Sequence, residues 1–412
     1  MARKQVQDSN VDRISNLPDS IILHILSLLP TVDVVRTSLI SKRWRHLWNS
    51  VPALEFCDVG VEQKQFYNFV NKCLEHRMIG KCRLNDLGIK RFKLEMHGNG
   101  GSSVHADRWL SLAVQQHLEE LDLHIEPRIF CKPSFHYCIP SLTVLKLYGL
   151  RLDDEVFYNL IMGCPSLKKL FLHHCFGYYD LKVSSLSLKS FELMDSNFAN
   201  SLLVEAVNLQ SFVYDSFGFE CNLDLVSCKN VRNLTLNHVD FFRFPSLEDV
   251  ISELPILESL TAKCCRIRII QCQNLKVLVL ETIIEDEGDE WDREIEITVN
   301  TPNLVSFHYE VFNFKCKVLL NSPNLEEAHI KVDYNGLRKK IDMNWYIDMI
   351  DFLSYFDCSK VVSLSGSIAE CEASKSRNEM RAEERVFVEG CIELAFASHR
   401  DFIHKVSRKR SS

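Results

Sequence analysis

One motif, apolar-x-x-apolar-x-apolar, returns ten times between Leu118 and Asp333 and limits what this chain can fold into. It starts at Leu118 ("LEELDLHIE"), Leu142 ("LTVLKLYGL"), Leu167 ("LKKLFLHHC"), Leu188 ("LKSFELMDS") and Leu209 ("LQSFVYDSF"). It continues at Val231 ("VRNLTLNHV"), Leu257 ("LESLTAKCC"), Leu275 ("LKVLVLETI"), Leu304 ("LVSFHYEVF") and Leu325 ("LEEAHIKVD"), usually introduced by "PSL", "PNL" or "QNL". Alternation over so few residues is the signature of a short strand with one buried face. The fourth and sixth positions then point inward, and the first closes the turn beneath them. One such unit cannot bury its apolar side alone. A stack of them makes a continuous core, so the chain is expected to be a solenoid.

Successive starts lie 18 to 29 residues apart, around the period of leucine-rich repeats. Two outlying stretches, "IKRFKLEMH" (89–97) and "VVSLSGS" (361–367), read as degenerate end repeats. Ahead of the array, Phe66, Phe69, Val70, Cys73 and Leu74 fall on one helical stripe. Trp109, Leu110, Ala113 and Val114 form another, on a helix leading into the first strand. The residues flanking the inward pair face the open, concave side of the stack. Lys146, Tyr148, Phe171, His173, Glu192, Met194, Asp215, His308 and Glu310 are therefore the candidate ligand-facing residues, joined by Val213, Lys263, Glu281, His329 and Lys331. Tyr148 and Phe171 stand out, because aromatic rings on an open sheet face are typical binding anchors.

Residues 12–48 pose a different problem. Pro18 suits the first turn of a helix, with Asp19 favouring its positive end. Ile21, Ile22, Ile25, Leu26, Leu28 and Leu29 make an apolar face covering well over half the cylinder, and Pro30 stops the helix. A second short helix is expected from about Asp33, carrying Val34, Val35 and Leu39. A third follows Ser41 and puts Trp44, Leu47 and Trp48 on one face. Three helices in about 40 residues rarely hold themselves up without a staple or a partner. Each Ile, Leu or Trp left wet forgoes roughly 1.5–3 kcal/mol.

"LPDSIILHILSLLPTVDVVRTSLISKRWRHLW" resembles the F-box motif in its plant F-box/leucine-rich-repeat, FBD-like form. Leu17-Pro18, Leu29-Pro30, Asp33-Val34-Val35 and Ser41-Lys42-Arg43-Trp44-Arg45, ending at Trp48, carry the likeness, and the repeats extend it to about residue 367. The resemblance implies an α/β fold in which a three-helix F-box precedes a leucine-rich-repeat solenoid, a curved parallel sheet with variable outer helices and loops. It also implies a substrate receptor of an SCF-type ubiquitin ligase. A Skp-type adaptor would dock on Leu17, Pro18, Ile21, Ile25, Leu29, Pro30, Val34, Val35, Trp44 and Trp48, and through it would come cullin and RING subunits. The repeats would choose a protein substrate, and this chain would hold no catalytic residue. The expected segments are a flexible start (1–11), the F-box (12–50), a linker helix with degenerate repeats (51–117), the array (118–367) and a divergent tail (368–412). A small molecule acting as glue on the repeats, or a scaffold whose F-box has lost its adaptor, are the alternatives.

Other chemistries fit poorly. The sixteen cysteines are scattered and the start "MARKQVQDSNVDR" lacks the apolar core of a secretory signal, so reduced thiols in the cytosol or nucleus are expected. Cys175 and Cys265 occupy the buried last position of the repeat motif, and no metal or cofactor is expected. A net charge of -7 argues against nucleic acid as partner, despite Lys42, Arg43 and Arg45 and the tail "KVSRKR". No apolar run is long enough for a membrane span. "HGNGGSS" (97–103) lacks the context of a phosphate loop, and the acidic stretch 281–297 reads as a solvated loop.

Overall fold

A computed structural model describes residues 17–39, 43–79, 88–97, 103–126, 138–194, 201–215, 222–239, 246–265, 267–281, 295–311, 316–332, 352, 356 and 361–366. Residues 1–16, Ser41 and Lys42, most of the glycine cluster and of the acidic stretch, and the tail from 367 lie outside them. The chain divides into two compact units, residues 1–178 with 184–188, and residues 179–183 with 189–412. The division falls inside the expected 118–367 array.

In the first unit, helices α1 (Asp19–Leu26), α2 (Thr31–Thr37) and α3 (Trp44–Leu47) and a single 3-10 turn form a head. Pro18 and Pro30 are the N-caps of α1 and α2, with extended ψ of 147° and 144°. Their carbonyls accept from Ile22 (3.1 Å) and Val34 (3.1 Å). Pro30 thus starts the second helix at Thr31 rather than ending the first, which has already stopped at Leu26. Five parallel strands follow in register: β1 (Ala53–Cys57), β2 (Arg91–Met96), β3 (Glu120–Ile125), β4 (Val144–Tyr148) and β5 (Lys169–His173). Helices α4 (Gln63–Ile79), α5 (Ser103–Val114) and α6 (Asp154–Met162) return the chain between strands. Phe66, Val70, Cys73 and Leu74 on α4, and Trp109, Leu110 and Ala113 on α5, are buried as the helical stripes require. The expected linker is therefore itself the first two rungs of the sheet.

The second unit contains β6 (Asp180–Ser184), which the division cuts before its last residue, β7 (Ser190–Met194), β8 (Ser201–Glu205), β9 (Ser211–Asp215), β10 (Asn222–Asp224), β11 (Asn233–Asn237), α7 (Leu247–Ser252) and β12 (Ser259–Lys263). Beyond these come β13 (Ile269–Gln271), β14 (Val277–Glu281), β15 (Ile295–Asn300), β16 (Ser306–Val311), β17 (Cys316–Asn321), β18 (Glu327–Val332) and β19 (Val361–Gly366). Its main parallel sheet runs β7-β9-β11-β12-β14-β16-β18-β19. Two three-stranded sheets, β10-β8-β6 and β13-β15-β17, take the place of most outer helices, where only helices and loops were expected.

The repeat phase is recovered residue by residue. All ten first-position residues, from Leu118 to Leu325, are buried, and so is every fourth and sixth position, such as Leu145 with Leu147 and Phe307 with Tyr309. Each strand entry is tied in the same way. The carbonyl one residue after the repeat's start accepts two N–H groups of the next rung: Gln210 from Arg232 (2.9 Å) and Asn233 (3.0 Å), Lys276 from Val305 (2.9 Å) and Ser306 (3.0 Å). A polar residue before the repeat opener adds a side-chain ladder at several rungs. Asn274 donates to Pro255 O (2.7 Å), Asn303 to Gln273 O (2.8 Å) and Asn324 to Pro302 O (2.9 Å). In the first unit Ser141 and Ser187 serve instead, on Leu118 O and Leu167 O.

Strand exits also repeat. Gly149, His174, His238 and Cys264, seven residues into their repeats, have left-handed φ of 72°, 51°, 52° and 51°. Histidine is among the few non-glycine residues that visit this region. The turn swings the next residue inward, burying Leu150, Cys175, Val239 and Cys265. The Cys175 thiol donates to Leu147 O (3.5 Å), that of Cys265 to Leu236 O (3.4 Å), and burial pushes Cys175 up to about 12. No helix among the described residues is long and apolar enough to cross a membrane.

Stability should follow this division of labour. Leu278→Ala removes a fully buried rung side chain and is expected to cost about 2–5 kcal/mol. Asn303→Ala removes one exposed ladder bond and should cost about 1 kcal/mol. Urea unfolding of both variants checks this, and equal costs would refute the ranking.

Candidate docking head and open repeat face

The head closes around its own core. Ile22, Leu26, Val34, Trp44, Trp48 and Val51 are buried together, with Leu17, Leu23, Val35, Leu47 and Ala53 packed against them. Trp44 is only 4% exposed. Val34, Trp44 and Trp48, expected on the adaptor surface, are therefore interior residues: α2, α3 and the 3-10 turn bring these side chains together against Ile22 and Leu26 of α1. Leu17 and Val35 are half-buried against the same cluster. Pro18, Ile21, Ile25, Leu29 and Pro30 are exposed as expected. Beside them stand Leu28 (69% exposed), Val32 and Leu39 (84% exposed), which the site expectation left out. A signal for them existed: Leu28 follows a helix whose inward positions are already filled by Ile22 and Leu26.

The head is fastened to the first rungs. Thr31 is buried, and its hydroxyl accepts from the Glu55 N–H of β1 (2.7 Å). Arg91 of β2 donates to Ser27 O (2.8 Å). Buried Arg77 of α4 donates to Val51 O (2.6 Å) and to Asn49 O. Trp48 meets His76 edge-on, with centroids 6.1 Å apart. Arg43 pairs with Asp19 and donates to Leu17 O (2.6 Å), which holds the chain entering α1.

The open face of the first unit carries three rows of side chains across β1–β5. Ala53, Arg91, Glu120, Val144 and Lys169 stand at the strand starts, then Glu55, Lys93, Asp122, Lys146 and Phe171, and last Cys57, Glu95, His124, Tyr148 and His173. Lys93 bridges Glu55 (3.2 Å) and Glu95 (2.7 Å). Lys146 pairs with Glu120 (2.9 Å), approaches Asp122 (3.8 Å) and lies 6.0 Å from the Phe171 ring centre. Burial raises the Asp122 carboxyl above the usual range, against the pull of Lys146 and Lys93. Burial also works on Glu95, but hydrogen bonds from Lys93 and Cys57 prevail and hold it low. Along the strand ends the rings of His97, His124, Tyr148 and His174 follow one another at centroid distances of 5.0, 3.8 and 4.7 Å. Tyr148 and Phe171 are half-buried, the side chains of an open sheet face rather than of the core.

In the second unit Glu192, Met194, Val213, His308, Glu310 and Glu281 occupy half-buried open-face positions, and Lys263 and Lys331 lie on the same face. Lys263 pairs with Glu281 (3.3 Å) and Lys331 with Glu310. His308 stacks on His329 at 4.4 Å. Asp215 departs from expectation. It is buried, because His238, at its left-handed strand exit, brings Nδ1 to 3.1 Å from the Asp215 carboxylate.

Comparison with known proteins matches residues 14–55 to the F-box domain and residues 130–223 to the LRR repeats of FBD-associated F-box protein At5g56370. The chain carries an F-box domain and is similar to F-box/leucine-rich-repeat proteins. Among its Arabidopsis thaliana relatives, F-box/FBD/LRR-repeat protein At3g26920 is 27% identical over 81% of this chain and 93% of its own length. F-box/FBD/LRR-repeat protein At4g26340 is 28% identical over 72% of this chain and 76% of its own. FBD-associated F-box protein At5g56370 is 38% identical over 36% and 34%. Two other relatives, 33% and 32% identical, match over only 44% and 51% of their own lengths. The chain thus spans about half the length of several relatives it matches.

Acid should weaken the fold through the stacked histidines. Burial, then the neighbouring His329, pushes His308 below the ordinary histidine value. A depressed folded value means the stabilisation is complete above the unfolded pKa of about 6.5 and is lost as pH falls below it. Melting temperature should therefore fall from pH 7 to pH 5, and less steeply in His308→Gln. Superimposable pH profiles for the two proteins would count against this.

Proposed function

We propose that this chain is the substrate-recognition subunit of an SCF-type ubiquitin ligase. The head docks on a Skp-type adaptor, which brings cullin and RING subunits. The open repeat face holds a protein substrate while those subunits transfer ubiquitin to it for proteasomal degradation. The chain contributes binding and geometry but no catalytic group, and it works in the cytoplasm or nucleus.

One observation carries the reading. The head already has a closed core, yet Ile21, Ile25, Leu28, Leu29, Val32 and Leu39 remain exposed on it. Each forgoes burial worth on the order of 1.5–3 kcal/mol when fully covered. A contiguous apolar surface on a small, well-fastened helical module is what a permanent partner would cover. The F-box match over residues 14–55 supports a Skp-type adaptor as that partner.

The test separates surface from core. Ile25→Asp with Leu28→Asp should abolish co-purification with a Skp-type adaptor while leaving the melting temperature within a few degrees of the parent. Trp44→Ala should instead destabilise the head by about 3–5 kcal/mol. Undiminished adaptor capture by the double variant would sink the docking assignment.

A further inference from the structure

We propose that the strand-end strip of the first unit recognises an arginine-bearing segment of the substrate. This rests on the substrate-receptor reading and names the class of ligand its open face takes.

The rings come first. His97, His124, Tyr148 and His174 form a row of touching rings across four successive rungs, from the end of β2 to the turn beyond β5. They lie on the open side, opposite the core pairs Leu123, Leu145 and Leu147. A face built only to be solvated has no need of a row of touching rings.

Charge selects the occupant. Beside the rings stand the carboxylates of Glu55, Glu95 and Asp122, with Asp58 and Glu126 just beyond the strands. Against them the same two rows hold Lys93 and Lys146, while the row at the strand starts adds Arg91 and Lys169 against Glu120. The carboxylates are in excess, and Glu126 follows directly on β3, two residues beyond His124. An acidic segment would be repelled, and Phe171 is the lone large aliphatic or plain aromatic side chain on these two rows.

The face already hosts one cation over a ring, Lys146 over Phe171. An incoming guanidinium suits the remaining rings better than an ammonium. It is flat enough to stack on Tyr148 or His124, it sheds water more readily, and its forked N–H groups fit a carboxylate two at a time.

The full chain, with and without a Skp-type adaptor, would be titrated with a fluorescent peptide of alternating glycine and arginine. Counterparts carrying lysine or citrulline are run at the same salt concentration. Saturable binding of the arginine peptide is expected, roughly tenfold weaker for lysine and lost for citrulline. Tyr148→Leu and Glu126→Gln should each weaken it about five- to tenfold. Should Tyr148→Leu lower the melting temperature, Glu126→Gln, which changes only a charge at the rim, still decides. Equal affinity for arginine and lysine peptides, affinity unchanged in Glu126→Gln, or no saturable binding overturns the proposal. Loss of adaptor binding with peptide binding intact would instead sink only the ligase reading.

Discussion

The burial of two side chains per rung is the interaction on which the repeats depend. A five-residue strand such as β4 or β14 costs roughly 5–10 kcal/mol of backbone freedom at 1–2 kcal/mol per residue. Its inward pair and the leucine that opens the repeat return about 4.5–9 kcal/mol at 1.5–3 each. A rung is therefore close to break-even by itself. It persists because the next rung completes its hydrogen bonds and shields its pair, which is why the doubly accepting carbonyls of Gln210 and Lys276 recur in phase with the leucines.

The same reasoning explains the head. Its cluster from Ile22 to Val51 is small for an independent domain. Thr31, Arg77 and Arg91 make up the difference by joining it to α4, β1 and β2. Arg77 is the central piece, since a buried guanidinium needs acceptors, and it finds them in the carbonyls of Asn49 and Val51 where the head passes into the first strand. The exposed apolar residues of the head are thereby held on a fixed base.

What could be read from the chain depended on whether the cause was local. The repeat phase is local, and each repeat-opening residue from Leu118 to Leu325 is buried as its spacing requires. The helical stripes of α4 and α5 are equally direct. Val34, Trp44 and Trp48 were misassigned to the surface because helix periodicity reveals an apolar face but not which neighbour covers it. Asp215 was misplaced because its cover is a histidine in a left-handed turn, where a glycine would have announced the bend. The Asn274, Asn303 and Asn324 ladder was visible as a recurring residue before leucine. Its role was not, because each partner lies in the preceding repeat.

The strict alternation of inward and outward side chains separates two kinds of inheritance. Changing Lys146, Tyr148 or His308 removes no core atom, whereas changing Leu147 or Tyr309 opens a cavity. A gene copy of such a chain drifts freely along its outward rows while its inward rows stay pinned by folding. New recognition surfaces thus arise without a loss of foldability to repair.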